Sequence, residues 1–319
     1  MSTTLRRHVY GPVPSRRLGR SLGIDLVPHK TCTYDCVYCQ LGRTPLTTIE
    51  RREYVPLGEV IPQLRQKLDS GSVPDYISLA GSGEPTLHAG IGDLIRAIKT
   101  MTRIPVAVLT NGSLLWRRDV QDALMGADLV LPSLDAGDEH RFQRVNRPHG
   151  EIDFHRMVDG LATFTKRFDG EVWLEVFLVE GQTGTPEEVR KIADLVARIA
   201  PARVQLNTVT RPPAEPLAHP VTEEQLTRLA ALFTGRVEII TDYPVGGRPS
   251  DVLCAATSED ILVVLGRRPC TAEDLSMGLG LPLPEVIKYL DELSATRQVS
   301  PVITGGRCYY KVADSGLMS

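Results

Sequence analysis

A chain of 319 residues with 42% hydrophobic and 24% charged side chains and a formal net charge of −3 can bury one large core and a small second one, which excludes a disordered or low-complexity protein. No apolar run approaches the roughly eighteen residues of a membrane span, and the opening "MSTTLRRHVYGPVPSRR" lacks the apolar segment of a secretory signal, so the chain is expected in the cytoplasm, away from membranes. Six cysteines are too few for a disulfide scaffold at this length, and in a reducing compartment any that cluster point to metal or catalytic use.

In chain order, short apolar runs rich in β-branched residues alternate with longer segments whose apolar residues recur at helical spacing. The predicted strands are "SLGIDLV" (21–27), "YISLAGS" (76–82), "VAVLTN" (106–111), "DLVLPSL" (128–134), "VWLEVFLV" (172–179) and "RVQLNTV" (203–209). Between them "GEVIPQLRQKLDSG", "IGDLIRAIKTM", "RDVQDALMGA", "FHRMVDGLATFTKRF" and "TPEEVRKIADLVARIA" read as helices. Such alternation predicts βαβ units, an α/β fold and a parallel sheet. Six units, followed by a helix at 222–233 and a strand at 237–241, suit a partial (βα)6 TIM-like barrel better than a flat doubly wound sheet. In either, chemistry gathers at the C-terminal ends of the strands.

Residues 1–241 make up this first unit, and a Pro/Gly-rich stretch beginning "TDYPVGGRPSDV" predicts a linker over 242–258. Beyond it "SEDILVVLGRRP", "TAEDLSMGLGL" and "PLPEVIKYLDELSATRQV" read as three helices, the second opened by a Thr N-cap and the third by proline, and "VSPVITGGRCYYKV" reads as a hairpin around Gly305 and Gly306. Three helices and a hairpin over 259–319 resemble a winged helix-turn-helix. Charge differs between the two ends: residues 1–52 carry nine Lys/Arg against three Asp/Glu, whereas 259–319 carry six against eight. An anionic partner is therefore expected at the N-terminal end.

Cys32, Cys36 and Cys39 fall in the loop after the first predicted strand, in a motif segment spanning 29–46, with the spacing C-x3-C-x2-C. Three thiolates satisfy three irons of a four-iron cluster and leave the fourth open, whereas a structural zinc or cluster site closes with four ligands. The cysteines alone leave two readings: a cluster with an open iron, or a zinc knuckle completed by His29 or Asp35.

With Tyr38 just before the last cysteine, this motif resembles that of the radical S-adenosylmethionine (radical SAM) superfamily. "GSGEP" (81–85) at the end of the second strand resembles the superfamily's Gly-Gly-Glu motif, with Ser82 where a glycine is usual, and "LTNG" (109–112) and "PSLDA" (132–136) are similar to its third and fourth strand ends. The resemblance covers roughly residues 10–241 and implies a 4Fe-4S cluster held by Cys32, Cys36 and Cys39, with S-adenosylmethionine (SAM) on the open iron. It implies reductive cleavage of SAM to a 5′-deoxyadenosyl radical that abstracts hydrogen from a substrate it does not identify. Gly83 and Glu84 would hold the methionine ammonium of SAM through a backbone carbonyl and a carboxylate, with Gly81 also binding the cofactor. Asn111 and Ser133 would contact ribose and carboxylate, with Thr110 and Asp135 as secondary candidates, and Val179 would pack on adenine.

The longer segment around the cysteines, with "RVNRP" (144–148) and "TVTRPPAEP" (208–216), resembles small radical SAM proteins related to the wyosine tRNA-modifying synthases and to nitrogenase-cofactor maturation enzymes. Wyosine synthases carry further cysteines before the motif, and none precedes Cys32 here. Cys254, Cys270 and Cys308 have no cluster spacing and read as ordinary buried thiols. Arg16, Arg17, Arg20, Arg144, Arg147 and Arg211 sit near strand ends and leave open an anionic substrate or RNA. The N-terminal arginines also suit an acidic flavodoxin or ferredoxin as electron donor. Duplex DNA is not expected on the C-terminal unit, whose third helix offers Lys288 against Glu285, Asp291 and Glu292. The rival classes are a cluster- or zinc-containing nucleic-acid-binding regulator and a cluster carrier that does not turn SAM over.

Overall fold

A computed structural model describes residues 7–69, 73–240 and 257–313. The chain opens with β1 (Val9–Ser15) and β2 (Gly19–Ile24), continues through α1 (Leu57–Asp69), β3 (Tyr76–Leu79), α2 (Ile91–Met101), β4 (Val106–Leu109), α3 (Arg118–Leu124), β5 (Leu129–Leu131), α4 (Glu139–Val145) and α5 (Phe154–Arg167), and then through β6 (Glu171–Leu178), α6 (Pro186–Ile199), β7 (Arg203–Thr208), α7 (Glu223–Ala230) and β8 (Val237–Ile239). The helices start where the chain supplies caps. Asp153 accepts from the Arg156 amide at the start of α5, and Thr185 with Pro186 opens α6.

The strands form one sheet in the order β1 to β8. From β2 to β8 every neighbouring pair is parallel, and only β1 is antiparallel to β2. A doubly wound sheet reverses its strand order partway; this one never does, so right-handed crossovers put every helix on one side and curl the sheet into a partial barrel. Alternation along the strands then divides the faces. Leu22, Ile24, Ile77, Leu79, Val106 and Val108 are fully buried in the main core with the inner faces of the helices. On the other face Ala107, Leu129, Leu131 and Trp173 fill the barrel with Leu18.

Two elements depart from expectation. β1, in "VYGPVPS", carries a glycine and two prolines, a composition a strand tolerates only at a sheet edge. α4 is a seven-residue helix in the loop after "PSLDA", capped by Asp138. The expected first strand also ends at Ile24, three residues early, because Asp25 onward turns into the cysteine loop.

The C-terminal segment folds as α8 (Ser258–Leu265), α9 (Ala272–Leu279), α10 (Leu283–Ala295) and the antiparallel hairpin β9 (Val299–Thr304) and β10 (Arg307–Val312). Its core, including Ile261, Val264, Leu275, Val286 and Leu290, takes in Val13 of β1. The module is thus packed on the edge strand of the barrel. Most of the predicted linker, with Cys254, lies outside the described residues. Among the described residues no helix is long and apolar enough to cross a membrane.

Candidate cluster and cofactor site

The loop after β2 is fastened by backbone bonds to three neighbouring segments, the third through Glu215 N, which donates to Val37 O at 2.9 Å. Lys30 N donates to Ser82 O at 2.6 Å, Glu84 N to Thr31 O at 3.0 Å, Asp35 N to Asn146 O at 3.0 Å and Val37 N to Val145 O at 2.9 Å. These bonds leave the three half-buried cysteines in the loop's interior, and each sulfur has a nitrogen donor. Asn111 Nδ2 lies 3.6 Å from Cys32 Sγ, Asn146 Nδ2 3.6 Å from Cys36 Sγ and Lys30 Nζ 3.1 Å from Cys39 Sγ. Burial pushes the Cys32 thiol up to about 12, with the Glu84 carboxylate adding to it. Burial and the other two sulfurs push Cys36 well above the ordinary thiol range. Negative sulfur is costly here until a cation accompanies it.

Soft donors each supplied with an N–H fit the chemistry of an iron-sulfur cluster, whose properties depend on hydrogen bonds to sulfur. A single zinc fits less well. Asp35 is spent on the Thr44 amide at 2.6 Å and on Arg43 at 3.0 Å. Among the described residues no three His, Cys, Asp or Glu side chains gather as one metal ion requires, whereas cluster thiolates bond different irons and stand apart.

"GSGEP" lies against this loop at backbone distance. A Cβ on Gly83 would sit 1.9 Å from Thr31 O, and one on Gly81 2.7 Å from the Asp25 carboxylate, so glycine alone permits the approach. Ser82 uses its hydroxyl: Oγ donates to Asp25 Oδ2 at 2.5 Å. Glu84 is buried, and its carboxylate accepts from Thr86 N at 2.9 Å, Thr86 Oγ1 at 2.5 Å, Thr110 Oγ1 at 2.6 Å and Asn111 N at 2.7 Å. Burial raises its pKa and those four donors oppose the rise. Glu84 therefore ties the end of β3 to the end of β4, and through Asn111 to Cys32.

A second network crosses the barrel mouth. Glu175 on β6 pairs with Arg17 at 3.0 Å and accepts from Asn207 Nδ2 at 2.9 Å, with Ser133 Oγ at 3.4 Å. Burial acts to raise the Glu175 pKa, but Arg17 and Asn207 prevail and hold it below the usual carboxylate range. Asp135 accepts from Tyr38 Oη, from Asn146 Nδ2 at 2.8 Å and from Phe177 N at 3.0 Å. Burial still pushes it up to about 6. The Tyr38 ring stacks on Phe177 at 4.0 Å.

Residues 26–196 match the sequence profile of the Radical SAM superfamily. The chain belongs to the radical SAM superfamily. This radical SAM protein is 37% identical over 227 residues to a UPF0026 protein of Methanocaldococcus jannaschii, covering 70% of each chain. It is also 40% identical over 307 residues to a Brachyspira hyodysenteriae protein named GTPase Obg, covering 96% of this chain but 45% of that one, so it spans less than half the length of that relative. In shape it is similar to TYW1 with a lysine-pyruvate adduct bound, at TM-score 0.50 and 16% identity over 70% of this chain and 74% of that one, a likeness of fold. Proteins of the superfamily are enzymes, and a 4Fe-4S cluster and SAM are the cofactors of this radical SAM protein.

The residues singled out in the radical SAM sequence come together unevenly. Cys32, Cys36, Cys39, Gly83, Glu84 and Asn111 form one contiguous group, and Ser133 and Asp135 stand in the neighbouring networks. Val179 is fully buried among Val37, Val145, Val209 and Ala218 and presents no surface to a ligand in this conformation. Cys270 is buried in the module's core and Cys308 is exposed on its hairpin. Arg16, Arg17 and Arg211 line a cavity of about 360 Å³ at the barrel mouth. Arg144 points to solvent, and Arg147 is held by Glu215 at 2.8 Å. Sequence reasoning missed Lys30, Asn146, Glu175, Asn207, Arg267 and Arg268. Glu175 did carry a signal: it is a charge inside an apolar strand.

Proposed function

We propose that the chain is a radical SAM enzyme whose Cys32, Cys36 and Cys39 hold three irons of its 4Fe-4S cluster. The observation that carries this is the sulfur-by-sulfur supply of donors from Asn111, Asn146 and Lys30. When bound, the cluster and SAM together supply a one-electron cleavage that yields a 5′-deoxyadenosyl radical. The chain's own residues orient and enclose. Gly81 and Gly83 would present backbone to the methionine end of SAM, Glu84 fixes the ends of β3 and β4 beside it, and Asn111 and Ser133 would contact ribose and carboxylate. Tyr38 stacked on Phe177 walls one side against water.

An electron must also arrive from outside. Supporting an acidic flavodoxin or ferredoxin is a groove beside Cys39 lined by His29, Lys30, Arg43, Arg268 and Lys311, with no carboxylate among its described lining residues. Charge disfavours duplex DNA as a ligand, since α10 sets Lys288 beside Glu285, Asp291 and Glu292. A wyosine-like tRNA chemistry is the alternative within this superfamily, and tight tRNA binding by the full chain would favour it.

The deciding experiment is anaerobic reconstitution followed by reduction with dithionite in the presence of SAM. The expected result is about four irons and four sulfides per chain and slow release of 5′-deoxyadenosine. One zinc and no sulfide in protein purified without oxygen would overturn the proposal.

A further inference from the structure

One cavity at the barrel mouth joins the cofactor loops, the barrel strands and the C-terminal module. Cys39 and Gly83 form part of its wall, and the module supplies Val264, Arg267 and Arg268. Five guanidinium groups, those of Arg16, Arg17, Arg211, Arg267 and Arg268, meet there, and Glu175 is the one carboxylate among the described lining residues. Two of the five come from the module, more than fifty residues beyond Arg211, the last of the five that the barrel supplies.

The module is held at this rim by side-chain contacts of defined geometry. Arg211 Nε donates to Pro269 O at 2.9 Å and Tyr309 Oη to Thr210 O at 2.7 Å. Arg267 lies 3.5 Å from Asp25, donates to Val263 O at 2.7 Å and covers the Tyr10 ring at 4.3 Å. It is therefore a fixed wall.

Resting on the radical SAM reading, we infer that the C-terminal module completes the substrate pocket, and that the substrate is a small molecule or chain end bearing a phosphate or carboxylate group. A guanidinium carries five N–H donors in a planar fork matched to those two groups; Arg211 and Arg267 spend most of theirs on Pro269, Asp274, Val263, Arg7 and Asp25 and shape the rim, whereas a single ion pair leaves donors in hand. Arg17, for example, meets Glu175 through Nη1. The cavity volume of about 360 Å³ is at the scale of a small-ligand site and far below that of a nucleic acid duplex. Glu175, fixed by Arg17 and Asn207, gives the pocket a carboxylate acceptor that would orient a substrate hydroxyl or amine.

The methionine carboxylate of SAM is the competing occupant of these arginines, and the test separates the two. Calorimetric titrations of the anaerobically reconstituted full chain use inorganic pyrophosphate in one arm and citrate in the other, each with and without saturating SAM. The expected result is that one anion binds, that SAM does not displace it, and that Arg16→Gln and Arg268→Gln each weaken it about tenfold or more while SAM affinity and iron content hold. Arg268→Lys, which keeps the charge and loses the fork, should fall between, and it serves where the glutamine variant folds poorly. The arm that binds distinguishes phosphate from carboxylate. Displacement by SAM, no binding in either arm, or variants that bind like the parent would overturn the inference. Loss of cluster and SAM binding with anion binding intact would instead count against the radical SAM reading and leave the pocket standing.

Discussion

The cysteine loop and the C-terminal module both border the barrel mouth, and each contains cysteines, but the two regions treat sulfur differently. In the loop each thiol faces a side-chain nitrogen, two of them, from Asn111 and Asn146, brought from elsewhere in the fold and the third from Lys30 of the loop itself. In the module Cys270 is buried in the hydrophobic core and its thiol donates to the Arg268 carbonyl at 3.6 Å, while Cys308 lies exposed on a hairpin strand. A thiol facing donors has part of the cost of negative charge met once a cation accompanies it; one facing a carbonyl is kept as a neutral thiol. The surroundings therefore separate ligands from packing residues where the residue type cannot.

The comparison breaks most sharply at the metal. Replacing Cys32, Cys36 and Cys39 with alanine should take iron from about four per chain to essentially none, while Cys270→Ala with Cys308→Ala keeps the full complement. Iron and sulfide assays after anaerobic reconstitution decide it, and iron loss in the second variant would show that the module's thiols are ligands after all.

A smaller effect tests how each region is held. Arg267→Met leaves Asp25 buried without its cation, and breaking such a pair from one side costs about 3 kcal/mol. Arg228→Met removes a fully surface pair with Glu224 and should change stability by less than about 0.5 kcal/mol. Urea denaturation followed by circular dichroism measures both, and equal losses would mean that the module is not clamped through Arg267.

The smallest change sharpens the meaning of the donors. Asn146→Leu retains all three sulfurs but removes the N–H beside Cys36, so the cluster should assemble and then yield iron to a chelator roughly ten- to hundredfold faster. Release at the parental rate would reduce Asn146 to a prop for Asp135.

Much of this was legible in the sequence, for reasons that vary by element. Parallel strands buried on both faces read as apolar runs, which is why β3, β4 and β5 were found within a few residues of their ends. β1 was not legible because its prolines mimic a loop, and its place at the sheet edge depends on a module more than two hundred residues later. The ligating cysteines declared themselves by local spacing. Their donors did not, since Asn111 and Asn146 reach Cys32 and Cys36 only once the ends of β4 and α4 are folded beside the loop. Val179 shows the converse: it sits at a strand end where a ligand was expected, yet neighbouring loops enclose it.

Ser82, standing where a glycine is usual, joins Asp25, and Asp25 in turn meets Arg267. Three positions that are remote in the chain thus share one buried charge. A relative that loses the module loses the cation, and with it the reason to keep an acid at position 25 or a hydroxyl at position 82. Among descendants of a common ancestor, serine, aspartate and arginine at these sites should be kept or discarded as a set, leaving in the barrel's own sequence a record of whether a second domain is attached.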